Sequence, residues 1–255
     1  MTEPQRRFVW CELMTTNAAA AKTFYKSVVG WGMQDMPMPG MTYTVLSAGE
    51  TPVGGLMTMP QEPGSGGPKP CWLGYVGVED VDAAAARVQK LGGTVHRAPA
   101  DIPNVGRFAV VADPQGAMFQ LFKSAQPTPP SASQGPGHVG WHELHTRDWP
   151  QAFEFYSALF GWYKGQGFDM GAMGTYQLFT IGDAAVGGMF DSPAAESIRF
   201  WLFYFNVGDI DAAAGRVTGG GGKITQGPTQ VPGGGWIVQA SDPQGAMFAL
   251  LGTRP

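Results

Sequence analysis

Residues 113–119 read Asp113-Pro-Gln-Gly-Ala-Met-Phe119, and the same seven return unchanged as Asp242-Pro-Gln-Gly-Ala-Met-Phe248. Outward from this pair, other blocks repeat in the same order. Trp10-Cys-Glu-Leu-Met-Thr15 is matched by Trp141-His-Glu-Leu-His-Thr146. Phe24-Tyr25 with Gly30-Trp31 is matched by Phe155-Tyr156 with Gly161-Trp162, and Val53-Gly-Gly55 by Val186-Gly-Gly188. Two copies of this length are a duplicated domain; a solenoid needs several short repeats. Between them, residues 126–137 are rich in Pro, Ser and Gly and have no apolar periodicity, so they read as a linker. The expected domains are therefore 1–125 and 138–255.

Each copy also repeats its order of elements. In the first, Phe8 to Met14 reads as a strand, and Ala18 to Val29 as a helix with Thr16 or Asn17 as N-cap. Short strands follow at 31–36, 42–48 and 53–59, separated by Gly and Pro turns. A second round opens with a strand from Trp72 to Val78 and a helix over 80–91, stopped by Gly92-Gly93. Strands near 94–97, 106–112 and 117–122 complete it. Each copy is thus βαβββ twice, an α+β pattern with four such units in the chain.

Composition bounds the function. Of the residues, 44% are hydrophobic, with 8 Trp and 15 Phe, so a large core can form and the 38 Gly and 21 Pro mark turns and bulges. Charged residues are 14%, against the roughly 25% usual for soluble domains. The net charge is −4 with no basic run, which argues against nucleic acid, whose binding rests on phosphate neutralisation. No apolar stretch approaches the roughly 20 residues of a membrane span, and no apolar segment follows the early basic residues. Cys11 and Cys71 make neither a disulfide framework nor a zinc pattern. The expectation is a reduced, cytoplasmic protein without a membrane partner.

With these motifs in order and twice over, the chain resembles the vicinal oxygen chelate superfamily of glyoxalase I, bleomycin-resistance and extradiol-dioxygenase proteins. It is most similar to actinobacterial tandem glyoxalase-like proteins. The resemblance implies that two βαβββ units pair into a curved eight-stranded mixed sheet around a cavity, with helices outside, and that two such domains follow one another. It also implies a metal held by side chains from the opening, fifth and closing strands. Counting along the motifs puts those positions at Trp10, Leu73 and Gln120 in the first copy and at Trp141, Leu202 and Ala249 in the second. Trp and Leu do not bind a divalent cation, and Gln alone is a weak donor. No metal or other cofactor is expected.

Strand parity selects the site residues. In 141–145, Trp141, Glu143 and His145 share one face, and His142 and Leu144 the other. In the first copy Trp10, Glu12 and Met14 oppose Cys11 and Leu13. Family geometry puts the first face in the cavity. The candidate lining is Trp10, Glu12, Tyr43, Tyr75, Met118 and Gln120 in copy one. In copy two it is Trp141, Glu143, His145, Tyr176, Tyr204, Asn206 and Met247. Aromatic walls with a few polar anchors suit a flat, partly apolar small molecule. The same aromatics could simply fill the sheet's core, but a carboxylate amid them needs a partner.

His138, His142 and His145 lie close in sequence, but a strand turns His142 and His145 to opposite faces, so the cluster does not read as a metal site. Glu143 with His145 is the better pair for proton transfer. Two functions stay open. One is a metal-free protein binding an aromatic or heterocyclic metabolite or antibiotic. The other is a lyase, isomerase or glyoxalase-type enzyme using Glu143 and His145 as acid and base, or an atypical metal. A monomer or weak homodimer is expected, because the units that pair between short chains are already joined here. Gly219 to Gly222 reads as a loose loop after a helix, and Cys11 as an inert packing residue.

Overall fold

A computed structural model of the chain describes residues 6–38, 40–59, 69–126, 135–192 and 199–254. Four βαβββ modules follow one another. The first is β1 (Phe8–Thr15), α1 (Ala18–Val28), β2 (Gly32–Met38), β3 (Met41–Ala48) and β4 (Thr51–Thr58). The second is β5 (Cys71–Gly77), α2 (Val81–Lys90), β6 (Thr94–Ile102), β7 (Gly106–Ala112) and β8 (Met118–Ser124). The third is β9 (Val139–Thr146), α3 (Trp149–Phe160), β10 (Tyr163–Asp169), β11 (Thr175–Ile181) and β12 (Ala184–Asp191). The fourth is β13 (Phe200–Asp209), α4 (Ile210–Gly219), β14 (Lys223–Gln230), β15 (Trp236–Ser241) and β16 (Met247–Thr253).

The strands form two eight-stranded sheets, ordered β2-β3-β4-β1-β5-β8-β7-β6 and β10-β11-β12-β9-β13-β16-β15-β14. Both are mixed: β1 with β4 and β5 with β8 are parallel, while the outer neighbours are antiparallel. The α+β class and the four modules stand as read from the sequence. Local chemistry sets the helix ends. The Asn17 side chain accepts from Ala20 N, Asp80 from Ala83 N and Asp148 from Gln151 N, each satisfying an orphan N–H of the first turn. Gly161 closes α3 at φ 73°, a conformation other residues resist.

One boundary differs. The strand expected near 94–97 runs on to Ile102, past Pro99. It is an edge strand and its register slips between Arg97 and Ala100, so a proline N–H is not needed there. The linker expected at 126–137 lies mostly outside the described residues, with only 126 and 135–137 inside them.

By packing, the chain gathers into two compact units. One comprises residues 1–9, 73–132 and 142–201; the other comprises 10–72, 133–141 and 202–255. The first unit thus combines the second and third modules, and the second unit combines the first and fourth. The repeated motifs explain this exchange. In the second unit, Tyr25 on α1 donates to Asp242 Oδ2 at 3.2 Å and accepts from Trp72 Nε1 at 3.0 Å. In the first unit, Tyr156 on α3 donates to Asp113 Oδ2 at 3.1 Å and accepts from Trp201 Nε1 at 3.0 Å. Each aspartate's Oδ1 takes the backbone N–H groups of its own Pro-Gln-Gly turn, at Gln115 and Ala117 or at Gln244 and Ala246. Phe-Tyr of one half therefore binds Asp-Pro-Gln-Gly of the other. Burial pushes both carboxyls and both phenols up from their ordinary pKa.

The glycines after α4 are not loose. A Cβ at Gly222 would come within 2.9 Å of the Phe24 ring and of Ser241 O, so this loop is pressed onto α1 within the second unit.

Candidate functional site

The site begins with paired glycines that the sequence reading set aside. In the second half, Gly188 of β12 pairs with Glu143 of β9. A Cβ on Gly188 would stand 2.3 Å from Tyr176 Cε1, so the tyrosine ring of β11 lies directly over this glycine. Crossing there, the Tyr176 hydroxyl donates to Glu143 Oε2 at 2.8 Å. The first half repeats the device. Gly55 pairs with Glu12, and the Tyr43 ring occupies the place of a Gly55 side chain. Tyr43 donates to Glu12 and accepts from Trp10 Nε1 at 3.0 Å. The preceding glycines serve the opposite face: a Cβ at Gly54 would meet Cys11 O at 2.8 Å, and one at Gly187 the Phe179 ring.

In the second half Glu143 has an imidazole as well. His145 donates from Nε2 to Glu143 Oε1 at 3.0 Å. Both residues are buried, at 6% exposure each. The His145 ring stacks on Phe200 (centroids 4.5 Å apart, planes at 18°) and meets Phe190 edge-on at 4.7 Å. Phe190 in turn stacks loosely on Tyr176 at 5.9 Å. Tyr176, Phe190 and Phe200 remain half-buried around the two buried polar groups. The arrangement is a carboxylate holding one N–H and one O–H donor, framed by aromatic faces. It can orient a flat molecule and move a proton between Nε2 and Oε1.

Sequence reasoning missed Phe190 and Phe200. Their signal was available: Phe190 is the β12 partner of His145, and Phe200 shares strand parity with Tyr204.

The remaining candidates separate into smaller sets. Tyr75 of β5 pairs with Gln120 of β8, both buried. Tyr204 pairs with Ala249 and accepts from Gln239 Nε2 at 2.7 Å. Asn206 N donates to His138 O, and the Asn206 amide lies where a side chain on Gly140 would be, so it serves the start of β9. Trp141 is half-buried on β9. Met118 is the most open of the candidates at 36% exposure, and Met247 is half-buried on β16.

Parity holds for the other face. His142 Nδ1 meets Val186 O at 2.9 Å and its ring stacks on Phe8 at 4.5 Å, so burial lowers its pKa to about 4. Cys11 is buried with Sγ near Val53 O, and burial beside Glu12 raises its thiol far above the ordinary value. His138 Nδ1 lies 3.2 Å from Gly135 O.

The metal that the family resemblance implies does not fit these residues. Its second position is a buried leucine in both halves, Leu73 and Leu202. Glu143 spends both oxygens on His145 and Tyr176. Among the described residues no three His, Cys, Asp or Glu side chains converge on one point.

Comparison with known proteins agrees with the architecture. The model of the Glyoxalase/Bleomycin resistance protein/Dioxygenase superfamily matches residues 7–121 and 135–250. The chain is 34% identical over 248 residues to "Putative glyoxylase CFP32" of Mycobacterium tuberculosis, covering 96% of this chain and 94% of that one. It is 31% identical over 258 residues to "Anthracycline biosynthesis protein DnrV" of Streptomyces peucetius, covering 96% and 92%. Among solved structures, the Mn(II)-bound glyoxalase from Novosphingobium aromaticivorans superposes with a TM-score of 0.66 at 16% identity, covering 98% of this chain and 83% of that one. The substrate complex of homoprotocatechuate 2,3-dioxygenase from Brevibacterium fuscum gives 0.70 at 16%, covering 98% and 81%. At such identities the structural likeness is one of fold.

Proposed function

The chain belongs to the glyoxalase/bleomycin resistance protein/dioxygenase superfamily, and from that premise we propose that it binds a flat aromatic or heterocyclic small molecule without the family's metal. The observation carrying this reading is the Glu143–His145–Tyr176 cluster, a buried carboxylate with two donors inside a frame of Phe190 and Phe200. Aromatic faces contribute stacking area, and the polar trio fixes the orientation of a ligand bearing hydroxyl or carbonyl groups. A relative of similar length is named for anthracycline biosynthesis; anthracyclines are flat fused rings carrying phenols and quinone oxygens, the class this cluster suits. Trp10, Glu12 and Tyr43 form the lesser counterpart in the first half, where Met14 replaces the imidazole. Tyr75 and Gln120 in the one unit, and Trp141, Tyr204 and Asn206 in the other, are kept as separate binding candidates, each within its own unit. The domain limits 1–125 and 138–255, a monomeric or weakly homodimeric state and a cytoplasmic location complete the proposal.

A second reading rests on the 3.0 Å contact between Nε2 and Oε1. A carboxylate that orients an imidazole is the arrangement of a general base, so an isomerase or lyase acting on an acidic C–H or O–H is the competing function.

The test is calorimetry with a panel of phenolic and quinoid polycycles on the wild-type chain, Glu143→Gln and Tyr176→Phe, beside elemental analysis. The expected result is saturable binding weakened at least about tenfold by either substitution, equivalent to about 1.4 kcal/mol, with no stoichiometric metal. Binding untouched by both substitutions defeats the assignment. Turnover of a bound compound, lost in His145→Gln, moves the protein to the second reading.

A further inference from the structure

In the second half, Phe190 and Phe200 both contact the His145 ring, at 4.7 Å and 4.5 Å between centroids. The first half has a different chemistry at the same three places. Met14 stands where His145 does. Met57 follows Val53-Gly-Gly as Phe190 follows Val186-Gly-Gly, and Cys71 precedes Trp72 as Phe200 precedes Trp201. The register is conserved between the halves: Met14 pairs with Met57 across β1 and β4, as His145 pairs with Phe190 across β9 and β12. Every ring of the second-half cluster is thus answered by a sulfur atom in the first half.

The face is settled independently. Trp72 donates to Tyr25 of α1 and so faces the helices; its strand neighbour Cys71 therefore points to the opposite side of the sheet, the side that strand parity also gives Glu12 and Met14. Cys71 is a free thiol. Met14, Met57 and Cys71 are each half-buried, reachable yet shielded. Cys11 takes no part: it is buried on the opposite face, against Val53 and Gly54. A core could accept methionine in place of phenylalanine for volume alone. It has no need of a free thiol at the half-buried start of β5, the place that Phe200 takes in the second half.

We propose that the first half holds a soft-metal site, in which the Cys71 thiolate and the Met14 and Met57 thioethers bind one Cu(I) ion. Thiolate and thioether ligands select Cu(I) over the harder divalent ions. One thiolate, two neutral thioethers and Cu(I) sum to zero charge, so the complex avoids the penalty of a bare charge in a shielded place. On binding, the Cys71 S–H bond breaks, its proton passes to solvent and a sulfur–copper bond forms; the copper stays Cu(I) throughout. The site shares no residue with the Glu143 cluster, so either assignment can fail without the other.

The experiment is anaerobic competition between the full chain and the chromogenic chelator bicinchoninate for Cu(I). The expected result is one Cu(I) retained per chain. Cys71→Ser weakens retention at least about a hundredfold, Met14→Leu and Met57→Leu each about tenfold, and Cys11→Ser has no effect. X-ray absorption of the loaded chain shows a sulfur shell. A wild-type chain that competes no better than Cys71→Ser overturns the proposal, as does an equal loss in Cys11→Ser or a shell of nitrogen and oxygen. Should Cys71→Ser fail to fold, the Met14→Leu/Met57→Leu double variant decides, and full retention there overturns it equally.

Discussion

Tyr176 reaches Glu143 only because Gly188, between them in the sheet, has no side chain. Gly188→Ala is expected to destabilise the chain by about 1–3 kcal/mol through overpacking, and to lift Tyr176 off the carboxylate. Tyr176→Phe keeps the ring and removes only the donor, at a cost of about 1–3 kcal/mol for a buried acceptor left short. Urea unfolding of both variants separates the effects: a Gly188→Ala chain as stable as wild type refutes the close approach. His142 gives a pH signature at the same scale. Burial lowers its pKa from 6.5 to about 4, so the unfolded chain takes up a proton that the folded chain refuses. Its contribution is fully present above pH 6.5 and is lost as pH falls toward 4. The raised carboxyls of Asp113 and Asp242 work in the opposite sense, the folded state gaining protons first as pH falls. The His142 share is therefore read as the difference between wild type and His142→Gln. That difference should shrink steadily as unfolding is measured from pH 7.5 down to about 4.5; a constant difference refutes it.

At the scale of elements, the two Trp–Tyr–Asp relays tie each helix motif to a turn in the other half. Tyr25→Phe leaves Asp242 Oδ2 without its donor and Trp72 Nε1 without its acceptor. Tyr156→Phe does the same to Asp113 and Trp201. Each is expected to cost about 1–3 kcal/mol. The relays share no partner, so in the double variant the costs should add. Denaturant midpoints of the singles and the double check this, and a double variant no worse than either single would show that the relays form one network. The exchange was hidden at the sequence level. Phe-Tyr and Asp-Pro-Gln-Gly were visible as repeats, but a repeat does not say whether its partner lies in its own half or the other.

At the scale of the molecule, the halves share their scaffold and differ at the site. Glu12 and Glu143 each hold a tyrosine over a glycine, but only Glu143 has an imidazole beside it. A polar aromatic ligand should therefore prefer the second half by at least about tenfold, which one hydrogen bond of about 1.4 kcal/mol provides. Calorimetry on Glu12→Ala and Glu143→Ala checks this, and two equal sites refute it. Light scattering at micromolar concentration should give a monomer or a weak dimer, since all four modules are present in one chain; an obligate tetramer contradicts this. Among the described residues no helix is long and apolar enough to cross a membrane.

The sequence by itself determined the four modules, the cap of α1 and the glycine stop of α2, the face of each site strand and the pairing of Glu143 with His145. These follow from local rules: a period of two along strands, capping side chains, and glycine at turns. Tertiary structure alone decided the rest. It continued β6 past Pro99, because an edge strand does not need that N–H. It brought Phe190 and Phe200 to His145 and laid each tyrosine across its glycine, through strand pairings that join distant residues. It pressed Gly220 and Gly222, after α4, against Phe24. It matched each Phe-Tyr pair to the turn of the opposite half, because a buried carboxylate takes its donor from whatever packs against it, and packing is not written in sequence order.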